Sequence, residues 1–203
     1  MEIRLEEEKD YFESENLTRE AFWDLYRPGC EEHLVLNKLR KADSFIKELD
    51  FVAVEDGKII GNIVYSRLFY GSQKIISNEV VGFGPISVMP QYQGRGIGRK
   101  LIEYSCRRAA ELGFKAVIIT GDNNYYNRIG FVSASKFNVH LAGMPLDDEA
   151  VFFMAKDLEE GYLAKHSGIY DFDSCFAVDK KELAAFDENF EYKQKREPRD
   201  TDL

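Results

Sequence analysis

Cysteine is scarce in this chain and unpatterned: Cys30, Cys106 and Cys175 are the whole set, and no CxxC pair occurs. That argues against a disulfide framework or a cysteine zinc site and reads as reduced thiols in a cytoplasmic protein. No apolar run approaches the roughly 18–20 residues of a membrane helix. The start, Met1 to Glu8, lacks the basic segment and apolar core of a signal peptide. Positive charge is also short. Lys and Arg number 27 against 36 Asp and Glu, for a net charge of −9. A phosphate backbone needs clustered cations, so neither nucleic acid nor membrane is an expected partner. The acidic balance would suit a cationic ligand such as an amine, although plain solubility accounts for most such charges. His33, His140 and His166 stand near no nucleophile pattern and read as structural.

What is present is ordinary globular material: 203 residues, 44% hydrophobic and 31% charged. A chain of this length buries about 70% of its unfolded surface and needs no metal to hold a core. Ile3 and Leu5 suggest a short strand. Amphipathic stretches around Leu17–Leu25 and from Glu31 to Lys41 follow, the first stopped by Pro28-Gly29. Phe51–Val54 and Ile59–Tyr65 flank Asp56-Gly57, a hairpin signal. Val80–Val88 is a further strand, but Gly82, Gly84 and Pro85 sit inside it, so a bulge or a loss of pairing is expected. A helix from about Gly94 to Leu112 presents Ile97, Leu101, Ser105, Ala109 and Leu112 on one face, and Gly113 caps it. Ala116–Ile119 reads as a buried strand, Asn123–Arg128 as a short helix, and Phe131 onward and Ala150–Ala155 as two last strands. The result is an α/β (α+β) domain around a mixed sheet, over residues 1–156. Residues 157–203 form an extension that packs in part and is expected to fray from about Lys193.

The informative stretch is Val88-Met89-Pro90-Gln91-Tyr92-Gln93-Gly94-Arg95-Gly96-Ile97-Gly98-Arg99-Lys100-Leu101. A strand enters a glycine-dense turn that opens a long helix, whose first N–H groups lack intrahelical partners and favour an anion such as pyrophosphate. A Walker loop would need Lys-Ser/Thr after Gly98 and finds Arg99-Lys100-Leu101. A dinucleotide fingerprint would need a third glycine where Arg99 stands, and an acid near Lys115.

The same run resembles the acyl-CoA signature of the GNAT acetyltransferases, Gln/Arg-x-x-Gly-x-Gly/Ala, through Gln93, Gly96 and Gly98; Gln91, Gly94 and Gly96 satisfy it one register earlier. The order of elements is similar too, and Tyr126-Asn127-Arg128-Ile129-Gly130-Phe131 matches the family's Tyr-x-x-x-Gly-Phe. Gly121 to Phe131 resembles a bacterial subgroup with Gly-Asp-x-x-Tyr-Tyr-x-Arg-x-Gly-Phe. One departure is Ile119, where many relatives carry Asn; a polar cofactor contact there would have to come from Asp122, Asn123 or Asn124.

The resemblance implies a mostly antiparallel sheet flanked by helices, with acetyl-CoA as co-substrate, no metal, and a small-molecule or peptidyl primary amine as acceptor. A homodimer stays open, and so does a non-catalytic acyl-CoA-binding module. Implied cofactor contacts are Ser87 and Val88 on the strand, Gln93, Gly94, Arg95, Gly96, Ile97, Gly98 and Arg99 in the turn, and Asn123 and Tyr126 beyond the next strand. The implied catalytic pair is Tyr126, which protonates the departing thiolate, and Glu79 as base, with Asp122 behind it. A core aromatic is the competing role for Tyr126, and a solvated strand-end acid for Glu79.

Overall fold

The chain is described by a computed structural model at residues 1–200 and 202. Its elements run β1 (Glu2–Leu5), α1 (Tyr11–Phe22), α2 (Glu32–Leu39), β2 (Phe51–Glu55), β3 (Lys58–Tyr70), β4 (Ile75–Val88) and α3 (Ile97–Glu111). There follow β5 (Ala116–Thr120), α4 (Asn123–Tyr126), β6 (Val132–Ser133), β7 (Val139–Leu141), β8 (Phe153–Asp157), α5 (Tyr162–Lys165), β9 (Gly168–Asp171) and α6 (Lys180–Asp187). One mixed sheet holds all the strands, in the order β1-β2-β3-β4-β5-β8-β6, with β9 joining both β3 and β7. Only β4–β5 and β7–β9 pair in parallel among the described residues. The α/β class with a mostly antiparallel sheet is the one expected.

The local reasons are visible. Asp56 (φ 51°) and Gly57 (φ 76°) adopt the left-handed pair that a two-residue hairpin requires, and Glu55 faces Lys58 across it. In β5, Val117, Ile118 and Ile119 are all fully buried, because α3 covers one face of the sheet while the other is closed by the chain after Val139. Helix α3 buries Ile97, Leu101, Ile102, Ser105, Cys106 and Ala109 along one side. Leu112, expected on that face, is 44% exposed, because the helix has ended and Gly113 (φ 95°) turns the chain away.

Strands β3 and β4 are longer than their local pattern, and β7, β9, α5 and α6 have no counterpart in the expected order. The outer ends of β3 and β4 pair with each other from Phe69 to Ile76, and Phe69 and Tyr70 also pair with Asp171 and Tyr170 about a hundred residues later. Such non-local pairing leaves little periodic trace in the strand itself. Val139, Tyr162, Leu163 and Tyr170 pack with Leu68, Val80, Ala116, Ile118 and Phe153, so the late chain closes the sheet face opposite α3. Beyond α6 the chain keeps contacts with the body: the Lys193 ammonium meets Glu20 at 2.7 Å and Arg196 Nε donates to the Asp24 carbonyl at 2.9 Å. Charges that look solvating in isolation find partners on α1 and the loop beyond it.

Candidate active site

The site begins with the irregularity in β4. Its register against β3 shifts between the pairs Ile63↔Ile86 and Tyr65↔Phe83, opposite Gly84-Pro85, whose peptide bond is cis. Against β5 it pairs only at Val80↔Ala116 and Val81↔Val117. Beyond that the strands diverge, since Pro85 has no N–H to give a ladder and the bulge swings β4 aside. At its far end, Met89 N–H donates to the Ile60 carbonyl at 3.0 Å. Amides alternate along an antiparallel strand, so the Val88 N–H and carbonyl point away from β3, into the gap left by β5. Gln93 Nε2 donates to that Val88 carbonyl at 3.0 Å and ties the turn to the strand end. Ser87 points the other way: its Oγ donates to Thr18 Oγ1 at 3.0 Å, and Thr18 donates to Asn62 Oδ1 at 3.2 Å, in a buried chain to α1.

The turn then presents backbone rather than side chains. Gly94 (φ 72°) and Gly96 (φ 76°) are left-handed, and a methyl group on either would meet nothing within 4 Å. Gly96 caps α3 without a side chain to satisfy the first amides; its carbonyl accepts from Lys100 N–H at 3.1 Å. The N–H groups of Ile97, Gly98 and Arg99 thus stand at the positive end of a 15-residue helix, behind the open space at Gly94 and Gly96. Arg95 pairs with Glu55 at 3.3 Å and Arg99 with Glu103 at 2.7 Å, both exposed. Such pairs are worth roughly 0–1 kcal/mol, so either guanidinium can turn toward an anion at little cost.

Opposite this turn, Asp122 Oδ1 accepts from Asn124 N–H and starts α4 beyond the end of β5. The two tyrosines of α4 go to different places. Tyr126 is 9% exposed and packs among Phe83, Phe131 and Ile129, its ring lying on Gly121 so closely that a methyl group there would overlap it. Burial raises its phenol well above the ordinary range, with smaller pushes from Tyr125, Tyr26 and Asp122. It is therefore a protonated group at neutral pH. Tyr125 instead reaches α3: its Oη lies 2.9 Å from where a methyl group on Gly98 would stand. Nothing in the sequence reading anticipated that contact; the adjacent Tyr-Tyr pair was its only trace. Asn123 is half-buried at the start of α4 and its side chain takes a bond from Asn127. Ile119, the departure from the family pattern, is fully buried in the core.

Glu79 does not join this group. Its carbonyl accepts from Lys115 N–H at 2.7 Å, at the closed end of the β4–β5 pair, and its carboxylate accepts from Tyr162 Oη at 3.1 Å. Tyr126 lies beyond the other end of β5, five residues on, or roughly 16 Å along a strand.

The profile of the Acetyltransferase (GNAT) family matches residues 9–132. The chain belongs to this family. Among curated GNAT relatives, it is 32% identical over 105 residues to the uncharacterized N-acetyltransferase YhbS of Escherichia coli K12, and 29% over 101 residues to YjhQ of the same organism, also uncharacterized. Those matches cover 51% and 50% of this chain, and the chain spans only 60% and 55% of the two relatives. The crystal structure of YhbS in complex with CoA superimposes with a TM-score of 0.74 at 26% identity, over 86% of this chain and 91% of that one. A GNAT acetyltransferase from Brucella melitensis in complex with acetyl-CoA gives 0.69 at 26% identity, over 87% and 97%.

Proposed function

We propose that this GNAT protein moves an acetyl group from acetyl-CoA to a primary amine by direct attack on the thioester. The observation that carries the proposal is the adjacency of the open β4–β5 gap to the side-chain-free start of α3. The amides of Ile97, Gly98 and Arg99 hold the pyrophosphate, with Gly94 and Gly96 leaving room for it and Arg95 and Arg99 at hand as charge partners. The outward Val88 N–H and C=O hold the extended arm along β4, with Ser87 beside them, and a β4 N–H in the gap stabilises the carbonyl oxygen as it becomes an oxyanion.

The amine nitrogen forms a bond to the acetyl carbon, the carbon–sulfur bond breaks, and its electron pair leaves on sulfur. As the sulfur departs it takes the phenolic proton of Tyr126, and the proton that the new amide nitrogen sheds returns to the phenolate, so the phenol is regenerated as the amide forms. The ammonium proton must leave before attack; Asp122, exposed at the mouth and with one carboxylate oxygen free of the helix cap, takes it through water better than the distant Glu79 does. Asn123 remains a polar neighbour of the cofactor arm.

The cofactor assignment is tested by thermal unfolding. Acetyl-CoA at a hundred times its dissociation constant should stabilise the fold by about 2.7 kcal/mol, and NADH or ATP by much less. An equal shift with ATP would sink the assignment. A non-catalytic acyl-CoA-binding module is the second reading. Binding without release of free thiol across polyamines, amino acids, aminoglycosides and N-terminal peptides would favour it.

A further inference from the structure

The family match ends at residue 132, yet the chain after residue 168 returns to the strand on which the proposed chemistry depends. On the sheet face opposite α3, a methyl group on buried Gly82 would stand 2.8 Å from the Ile118 carbonyl, 3.1 Å from Leu68 and 3.2 Å from Phe172 Cε1, and one on Gly84 would stand 3.8 Å from Phe176 Cε1. These glycines bracket the point where β4 leaves β5. The two rings are neighbours, with centroids 5.6 Å apart. Phe176 continues into Leu36 and Leu39 of α2, and Phe172 into Phe153 of β8. Both rings are half-buried, and the chain between them is pinned, because Ser44 Oγ donates to Asp173 Oδ2 at 2.7 Å.

The last part of the chain fixes the loop between α1 and α2. Phe190 stacks on Phe12 with centroids 5.3 Å apart, and Arg19 Nε donates to Asp187 Oδ1 at 3.1 Å. Trp23 Nε1 donates to the Gln194 carbonyl at 3.2 Å. That loop carries Tyr26, an exposed ring that packs against Phe22 with centroids 6.3 Å apart. The face of the gap opposite α3 is thus bordered by Phe172 and Phe176, which the C-terminal segment supplies.

We infer that this segment is the specificity wall of the acceptor site and that it selects an amine carried on an apolar, aromatic body over a small polar amine. The inference rests on the acetyl-transfer reading above. Glycines at 82 and 84 let the two rings lie directly against the strand, so the apolar surface an acceptor meets on this side is their half-exposed edges. Fit in an apolar pocket is worth about 10–200-fold in discrimination, and an aromatic wall adds ring–ring contact.

The test is calorimetric titration of phenethylamine and of ethanolamine into the full chain saturated with CoA. Phenethylamine should bind at least about 10-fold more tightly. Phe176→Ala and Phe172→Ala should each erase most of that preference while leaving CoA affinity unchanged, and Phe176→Leu, which keeps apolar bulk, should retain part of it and stand in if the alanine variant does not fold. Equal affinity for the two amines, no binding of either, or a preference that survives in the Phe variants would overturn the inference. Failure of CoA itself to bind would instead overturn the acetyl-transfer reading.

Discussion

Tyr126 and Tyr125 are neighbours in sequence with perpendicular rings (83° between planes), and the proposed acid role falls to Tyr126 alone. Tyr126 is buried beside Phe83 on the diverging strand, where a protonated phenol is the stable form, whereas Tyr125 leans on the first turn of α3. Tyr126→Phe should lower kcat by about 10²–10⁴-fold, with acetyl-CoA affinity little altered. Tyr125→Phe should have a mild effect on kcat, and both should cost about 1 kcal/mol or less in stability. Steady-state kinetics beside melting curves of the two mutants check this; normal turnover in Tyr126→Phe, or a larger loss at Tyr125, would remove the acid from Tyr126. The place of Tyr126 in a short helix that ends at Gly130-Phe131 was legible in the sequence because that spacing is local. The place of Glu79 was not, since whether an acid stands at the open or closed end of a strand pair depends on where the neighbouring strand starts.

Among the elements, β4 and α4 control the geometry of the gap. The glycines and proline of β4 announced an irregularity, and the structure puts a register shift and the loss of β5 pairing there. The lengths of β3 and β4 were hidden because their outer ends are stabilised by β9 rather than by their own pattern. Gly121 is a sensitive joint: its N–H donates to the Phe152 carbonyl at 2.8 Å and its Cα supports the Tyr126 ring. Gly121→Ala drives a methyl group into that ring, which must shift. The expected cost is about 1–3 kcal/mol of stability from overpacking, together with a fall in kcat as the phenol moves. Denaturant unfolding and kinetics of the one mutant measure both. An unchanged kcat beside the loss of stability would show that the ring position does not matter to catalysis.

At the scale of the whole molecule, α1 and α2 are joined to β1 and β2 through a buried charge cluster. Arg40 meets Glu6 at 2.6 Å and Glu15 at 2.9 Å, while Asp50, 1% exposed and 3.8 Å from Arg40 Nε, has no hydrogen-bond partner for either oxygen. Burial first, and then the Glu6 carboxylate, push Asp50 up to about 9 against the pull of Arg40; Asp10 adds to the rise. A carboxyl whose folded pKa is raised stabilises the fold fully below its unfolded value near 3.9 and loses that contribution as pH rises toward 9. Stability should therefore decline from pH 6 to pH 9, and Asp50→Asn, which cannot ionise, should flatten the decline. Urea midpoints of both proteins at the two pH values test it; parallel curves would mean that Asp50 is ionised throughout. No local pattern reveals such a cluster, because Glu6 follows β1, Glu15 lies in α1, Arg40 follows α2 and Asp50 precedes β2.

The central claim is that the bare start of α3 holds the pyrophosphate of acetyl-CoA, and Gly96→Asp tests it most directly. A side chain at Gly96 meets nothing within 4 Å, and Asp is among the residues that tolerate a left-handed φ, so the variant should fold with α3 intact. Its carboxylate would then occupy the space in front of the Ile97 and Gly98 amides. Calorimetric titration of acetyl-CoA into the wild-type chain and the variant should give a clear heat of binding in the first and none in the second, at matched circular dichroism. Equal affinity in the two would place the ligand elsewhere and contradict the claim.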